Sequence, residues 1–84
     1  MSKADKLKVR LLAGQGYHNF AFSDLQLLLK SLGFWMDRQE GSHQAWRHST
    51  QSAVIHIQSI HGQSKPYQLR QLRQIRDIIR ENNL

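Results

Sequence analysis

The residues best suited to chemistry are histidines, since the chain has five His and no Cys. Cleaving a phosphodiester beside a free 2′-hydroxyl requires a base for that hydroxyl and an acid for the leaving oxygen. Imidazoles suit both tasks near neutral pH, and cations stabilise the charge that develops on the phosphate. The segment Gly41-Ser42-His43 offers the parts of such a site. Glycine permits a positive φ and a close backbone approach to phosphate, serine adds a hydroxyl and an N–H donor, and histidine adds the imidazole.

Strand periodicity groups further residues with His43. If Trp46 points into the core, alternation sends His43 and Arg47 to the opposite face. The isoleucines of segment 53–58 make the better core pair, which turns His56 towards that same outer face. We therefore predict that these two histidines and Arg47 share one surface. His56 is then either a second catalytic group or a solvated strand residue.

The other three histidines, His18, His48 and His61, are predicted to have surface or structural roles, the default for His in a small basic protein. No pair of histidines is spaced like metal ligands beside a carboxylate, so we predict no metal site. The chain is also expected to need no other cofactor.

Two helices are predicted ahead of the strands. Residues 3–13 have apolar positions at helical spacing, and Gly14 is a natural C-terminal cap. Ser23 followed by Gln26 has the signature of a capping box, and the leucine stripe behind it ends at Gly33.

A third helix is predicted after the strands, with Pro66 at its first position and Ser64 or Lys65 as its cap. Its aliphatic residues recur at helical spacing as far as about residue 80 or 82. A basic band follows its flank, formed by Arg70, Arg73, Arg76 and Arg80.

Between the second and third helices the pattern is extended. Strands are predicted at 34–39, 44–48 and 53–58, joined by polar turns, and a polar loop is predicted at 59–65. This order predicts an α+β fold, a three-stranded antiparallel sheet with the last two helices on one face and an additional N-terminal helix. The core order, α-β-β-β-α, is that of double-stranded RNA-binding domains.

The length and charge of the chain indicate how many domains it forms and what kind of partner it binds. We expect a single domain over residues 1–84, with 1–22 as N-terminal helix and linker and 23–84 as the core. The net charge of +6 and pI near 10.4 favour polyanionic partners. Apolar runs such as Leu27-Leu28-Leu29 are too short to cross a bilayer, and no signal-peptide pattern opens the chain, so a cytoplasmic location is expected.

Residues 23–84 resemble the HicA toxins, small metal-independent mRNA interferases of bacterial type II toxin–antitoxin modules. The matching features, which come in order, are Leu32-Gly33-Phe34 after a leucine-rich helix, a strand reaching Arg38, Gly41-Ser42-His43, Trp46, a β-branched strand and Lys65-Pro66-Tyr67-Gln68 before an arginine-banded helix.

The resemblance implies a fold like that of double-stranded RNA-binding domains and a catalytic role for His43. It also implies cleavage of mRNA and inhibition by a HicB-type antitoxin that covers the active site. Many members carry a second His after the first, where this chain has Gln44, so reduced catalysis is expected if that His assists. Residues expected to attract the RNA backbone are Arg47, Lys65, Arg70 and Arg73.

Two alternatives remain open on sequence alone. A non-catalytic RNA-binding module of the same fold would use the same basic faces without a catalytic His. A basic adaptor for an acidic protein would need no RNA at all.

Overall fold

The computed structural model describes residues 2–14, 20–50, 52, 54–60, 63–64 and 69–84. Its helices and strands, in chain order, are α1 (Lys3–Leu12), α2 (Phe22–Ser31), β1 (Phe34–Glu40), β2 (His43–His48), β3 (Ile55–Ile60), β4 (Gln63–Ser64) and α3 (Leu69–Asn82). The strands form one antiparallel sheet in the order β1-β2-β3-β4. The predicted α+β fold, with its N-terminal helix and three antiparallel strands, is confirmed, and β4 adds a short fourth strand at the edge of the sheet.

The predicted loop at 59–65 is wrong at the four of its residues that the structure describes, 59–60 and 63–64, which all lie in strands. Strand β3 continues to Ile60, and its last two residues pair with β4 through Ser59–Ser64 and Ile60–Gln63. Polar composition suggested a loop, but backbone pairing of this kind does not depend on apolar side chains. The predicted helix start at Pro66 lies outside the described residues, and the described part of α3 begins at Leu69.

The two N-terminal helices begin differently. Ser2 and Asp5 form a capping box at α1, in which the Ser2 hydroxyl accepts from Asp5 N and Ser2 N donates to the Asp5 carboxylate, both at 3.2 Å. The capping box predicted at Ser23 and Gln26 is wrong, because the helix cap is Ala21, two residues earlier, and it makes no side-chain cap bond. The Gln26 amide is thereby left for a contact with the sheet.

The core lies between the helices and one face of the sheet. Helix α2 packs on β1 and α3 packs on β3, while α1 lies against both helices. The leucine stripe of α2 is fully buried, as its spacing predicts. Buried apolar residues from every helix and from β1, β2 and β3 join in one cluster: Leu7, Leu11, Phe20, Leu25, Leu28, Leu29, Leu32, Phe34, Trp46, Ile55, Ile57, Leu72, Ile75, Ile78 and Ile79. The opposite face of the sheet, which we call the open face, has no described helix on it.

Strand β1 contains a β-bulge that changes which side chains reach the open face. Met36 pairs with Trp46, but the next paired residue, Arg38, faces Ala45, so Asp37 is an extra residue in the strand. Before the bulge, Phe34 is buried against the core. Beyond the bulge the alternation is inverted, and residues that simple alternation assigns to the core side point outwards.

Candidate active site

Alternation along β2 places its polar residues on two different faces. Trp46 and Gln44 are buried, at 1% and 6% exposure, whereas His43 and Arg47 are exposed. On β3 the two isoleucines, at positions 55 and 57, are buried and His56 between them is exposed. The structure therefore brings His43, Arg47 and His56 together on the open face.

The register aligns these side chains in rows across the sheet. One row contains Glu40, His43 and Gln58, and the next contains Arg38, Ala45 and His56. Directly opposed Cβ atoms in such a sheet lie about 4.5–5.5 Å apart, and diagonal neighbours such as His43 and His56 about 7–8 Å apart.

A hollow of about 200 Å³ lies between the two rows. Its lining residues are Arg38, Glu40, His43, Gln44, Ala45 and His56. The methyl group of Ala45 stands between the long side chains of Arg38 and His56, which leaves space at the centre of the row. Two imidazoles, a guanidinium and the Glu40 carboxylate thus surround a space open to solvent, and the imidazoles and guanidinium suit a phosphate with acid–base groups beside it.

The turn that carries the Gly-Ser-His segment is a two-residue hairpin loop. Glu40 pairs with His43, and Gly41 has a φ of +58° while Ser42 does not have a positive φ. This is the pattern of a type II′ turn, which favours glycine at its first central position. The Ser42 hydroxyl accepts from Gln58 Nε2 at 3.0 Å, so the turn is attached to β3. His43, the first residue of β2, therefore directly follows a turn whose position is fixed by this bond.

Arg47, the cation predicted on this face, is paired. Its Nε donates to the carboxylate of Asp37, the bulge residue, at 2.9 Å. Both side chains are about half exposed, and exposed pairs of this kind contribute about 0–1 kcal/mol to the free energy of unfolding. The pair compensates the charge of Arg47 on the open face.

Gln44, the residue that follows His43, points into the core. Its Oε1 accepts from Trp46 Nε1 and from Gln26 Nε2, both at 3.1 Å, and its Nε2 donates to Gln39 Oε1 at 3.4 Å. Gln39 Nε2 in turn donates to the carbonyl of Gly41 at 3.1 Å. Position 44 thus connects helix α2, the buried indole and the hairpin turn, and its side chain does not share the exposed face of His43.

Replacing Gln44 with Ala is expected to lower the free energy of unfolding by about 1–3 kcal/mol, because the buried Trp46 N–H loses its acceptor. Urea unfolding followed by far-UV circular dichroism measures this loss. The matched control is Gln26→Ala, which removes another bond to Gln44 but leaves the indole paired, and which should cost less. Equal stability of the Gln44→Ala and wild-type chains would contradict this role.

His48 also has a structural role. Thr50 N donates to its Nδ1 at 3.1 Å, so Nε2 carries the hydrogen and donates to the carbonyl of Leu32 at 3.0 Å. A Cβ at Gly33 would lie only 2.9 Å from Nε2. The ring therefore caps the C-terminal end of α2 through the Leu32 carbonyl, and it is not available for chemistry on the open face.

Of the other predicted RNA-contacting cations, the structure describes the side chain of Arg73 alone, and Arg73 is not among the described residues that line the hollow. Arg73 is exposed on α3, the helix that packs on the other side of the sheet. Lys65 lies outside the described residues, as do His18 and His61, and the side chain of Arg70 is not described.

Two residues of the hollow, Arg38 and Glu40, are missed by the sequence analysis. Counting alternately from the buried Phe34 assigns both to the core side, and only the bulge at Asp37 turns them outwards. The sequence did contain a signal for this. Regular alternation would place two charged residues on the core side, and because burying a charge is costly, this favours an irregular strand.

Within the described residues, no group of three or more His, Asp or Glu side chains is placed to hold a metal ion. None of the described helices combines the length and apolar character required to cross a membrane.

Comparison with known families gives a match over most of the chain. The sequence model of the HicA toxin of bacterial toxin–antitoxin systems matches residues 22–80. This span contains the whole of α2, the four described strands and most of α3, and therefore every described residue that lines the hollow. No curated protein and no solved structure gives a significant match to the chain. Since the matched span is well over half of the sequence, the chain belongs to the HicA toxin family and is a toxin of a toxin–antitoxin module.

Proposed function

We propose that the protein is a metal-independent endoribonuclease that cleaves mRNA, with His43 as a catalytic residue and His56 as its acid–base partner. The observation that carries the proposal is the hollow on the open face, where two exposed imidazoles flank space for a phosphate. Membership of a toxin family supports it further.

The reaction follows from the two imidazoles. One neutral imidazole removes the proton of the ribose 2′-hydroxyl, and the 2′-oxygen attacks the adjacent phosphorus. The bond from phosphorus to the 5′-oxygen breaks, and the other imidazole, in its protonated form, gives that oxygen a proton. The products are a 2′,3′-cyclic phosphate and a 5′-hydroxyl, and no metal ion is needed to balance the step.

The Gly41-Ser42 turn contributes to positioning. It lies directly before His43, the first residue of β2, and both of its residues are exposed. The bond from Gln58 to Ser42 holds the turn against β3, the strand that carries His56. The turn thereby links the positions of the two imidazoles.

Kinetics on a substrate with an activated leaving group can show which imidazole is the general acid and which is the general base. A nucleoside 3′-(4-nitrophenyl phosphate) releases nitrophenolate without needing a proton, so loss of the general acid matters little for it. We expect one of the variants His43→Ala and His56→Ala to regain activity on this substrate relative to RNA, and the other to remain slow on both. Equal wild-type activity of both variants on RNA would contradict the proposed pair.

The proposed partners are mRNA and a HicB-type antitoxin that covers the open face. Inducing the chain in bacteria is expected to arrest growth and fragment mRNA, and co-expression of the cognate antitoxin should restore growth. Growth curves and primer extension on abundant transcripts measure the two effects, with the His43→Ala chain as control.

Intact RNA after induction, combined with salt-sensitive RNA binding by the purified chain, would contradict the enzyme and favour the non-catalytic RNA-binding module instead.

A further inference from the structure

We propose that Arg38 binds the scissile phosphate and stabilises the negative charge that develops on its oxygens during cleavage. The proposal rests on the ribonuclease function proposed above and adds a residue to it.

The bulge at Asp37 is the first observation. It places two successive residues of β1 on the same face, Asp37 towards Arg47 and Arg38 opposite Ala45. If β1 alternated regularly through Asp37, with no bulge, counting from Phe34 would turn Arg38 towards the core side. Bulges commonly redirect a side chain beside an active site.

The surroundings of Arg38 are the second observation. Arg38 lies on the row of His56, separated from it by Ala45, and lines the hollow together with His43. Across the described residues, Arg38 is the one Arg or Lys side chain that lines this hollow.

The third observation is the difference between two arginines of the open face. Arg47 is held by Asp37 at 2.9 Å, whereas Arg38 makes no ion pair with any residue that the structure describes. Its five N–H donors are therefore available to an incoming anion, and a guanidinium fits two phosphate oxygens at once. This geometry suits the non-bridging oxygens of a phosphate placed between the imidazoles.

Binding of inorganic phosphate tests the site without requiring catalysis. The ring resonances of His43 and His56 in the wild-type chain, followed by NMR, should shift on titration with phosphate. In Arg38→Ala the apparent Kd should rise about tenfold to 100-fold, the range for losing hydrogen bonds from a charged group. Arg38→Lys should bind more tightly than Arg38→Ala, because it keeps the positive charge, but more weakly than the wild type, because it loses the paired N–H donors of the guanidinium.

The matched control is Lys30→Ala, which removes one exposed cation from α2, on the other side of the sheet. It should bind phosphate as the wild-type chain does. The proposal is overturned if phosphate leaves both ring resonances of the wild-type chain unmoved, or if Arg38→Ala and the wild-type chain bind it equally.

Cleavage kinetics provide the second measurement. Arg38→Ala is expected to lower kcat on a defined RNA by about 10²–10³-fold, as for loss of one donor to a developing oxyanion, and Lys30→Ala to leave it unchanged. If His43→Ala cleaves normally while Arg38→Ala loses phosphate binding, the ribonuclease mechanism fails and the phosphate site stands. If Arg38→Ala cleaves at the wild-type rate, the role of Arg38 in the reaction is wrong.

Discussion

Replacing His43 with Ala is expected to lower the rate of RNA cleavage by about 10²–10⁴-fold, the usual contribution of one general acid or base. His43 is exposed on the open face and lines the hollow, so the substitution removes a reacting group without opening a cavity in the core. Single-turnover cleavage of a defined RNA in the presence of EDTA measures the effect. The free energy of unfolding should change little, because surface substitutions usually stay within about 0.5 kcal/mol.

His48→Ala is the matched control, since it also removes an imidazole from β2 but on the core side of the strand. Its bonds to Leu32 and Thr50 make it a structural residue, so the variant should lose stability and retain its rate of cleavage while folded. Added imidazole should restore part of the activity of His43→Ala. A His43→Ala chain that cleaves as fast as the wild type would exclude the proposed mechanism.

Trp46→Ala is expected to lower the free energy of unfolding by about 3–5 kcal/mol, the range for truncating a large buried aromatic residue. Trp46 is 1% exposed, belongs to the core cluster and lies across the strands from Met36 and Ile55. A small domain has about 5–15 kcal/mol in total, so this loss leaves a marginal fold. Urea unfolding followed by circular dichroism measures it.

The consequence for function is indirect. Trp46 separates Ala45 from Arg47 and fixes which residues of β2 face the core, so its loss should reduce cleavage through unfolding. Trp46→Phe keeps an aromatic ring but loses the bond to Gln44 and part of the buried volume, and it should retain more stability and more activity than Trp46→Ala. A Trp46→Ala chain as stable as the wild type would show that this side chain does not anchor the site strand.

The helices and the faces of β2 and β3 were predictable because single periodicities govern them. The stripe of α2 follows the helical repeat, and Trp46 fixes the phase of its strand, which sends His43 outwards. The start of α2 was not predictable from its cap signature, because Gln26 has a competing partner in Gln44, a residue distant in sequence. Side-chain hydrogen bonds between distant residues leave no periodic signal.

The site was predictable only in part for a similar reason. The turn and both histidines lie on regular segments, whereas Arg38 reaches the hollow through one extra residue in β1. The structural role of Gln44 was also not predictable, since a polar residue next to His43 suggests a role in catalysis when only the sequence is considered. Its burial and its bond to Trp46 come from the packing of α2 against the sheet.

The bulge also divides β1 into two parts, and the alternation of inward and outward side chains must be counted separately in each part. Residues up to Met36 take their inward or outward parity from Phe34, whereas residues from Arg38 onwards take it from their distance to the hairpin at Gly41. A relative that lacks one residue at position 37 would therefore keep every cross-strand partner of the site. Comparisons of β1 between family members should accordingly be aligned backwards from the glycine of the turn. Aligned forwards from the end of α2, equivalent arginines would fall out of phase by one residue.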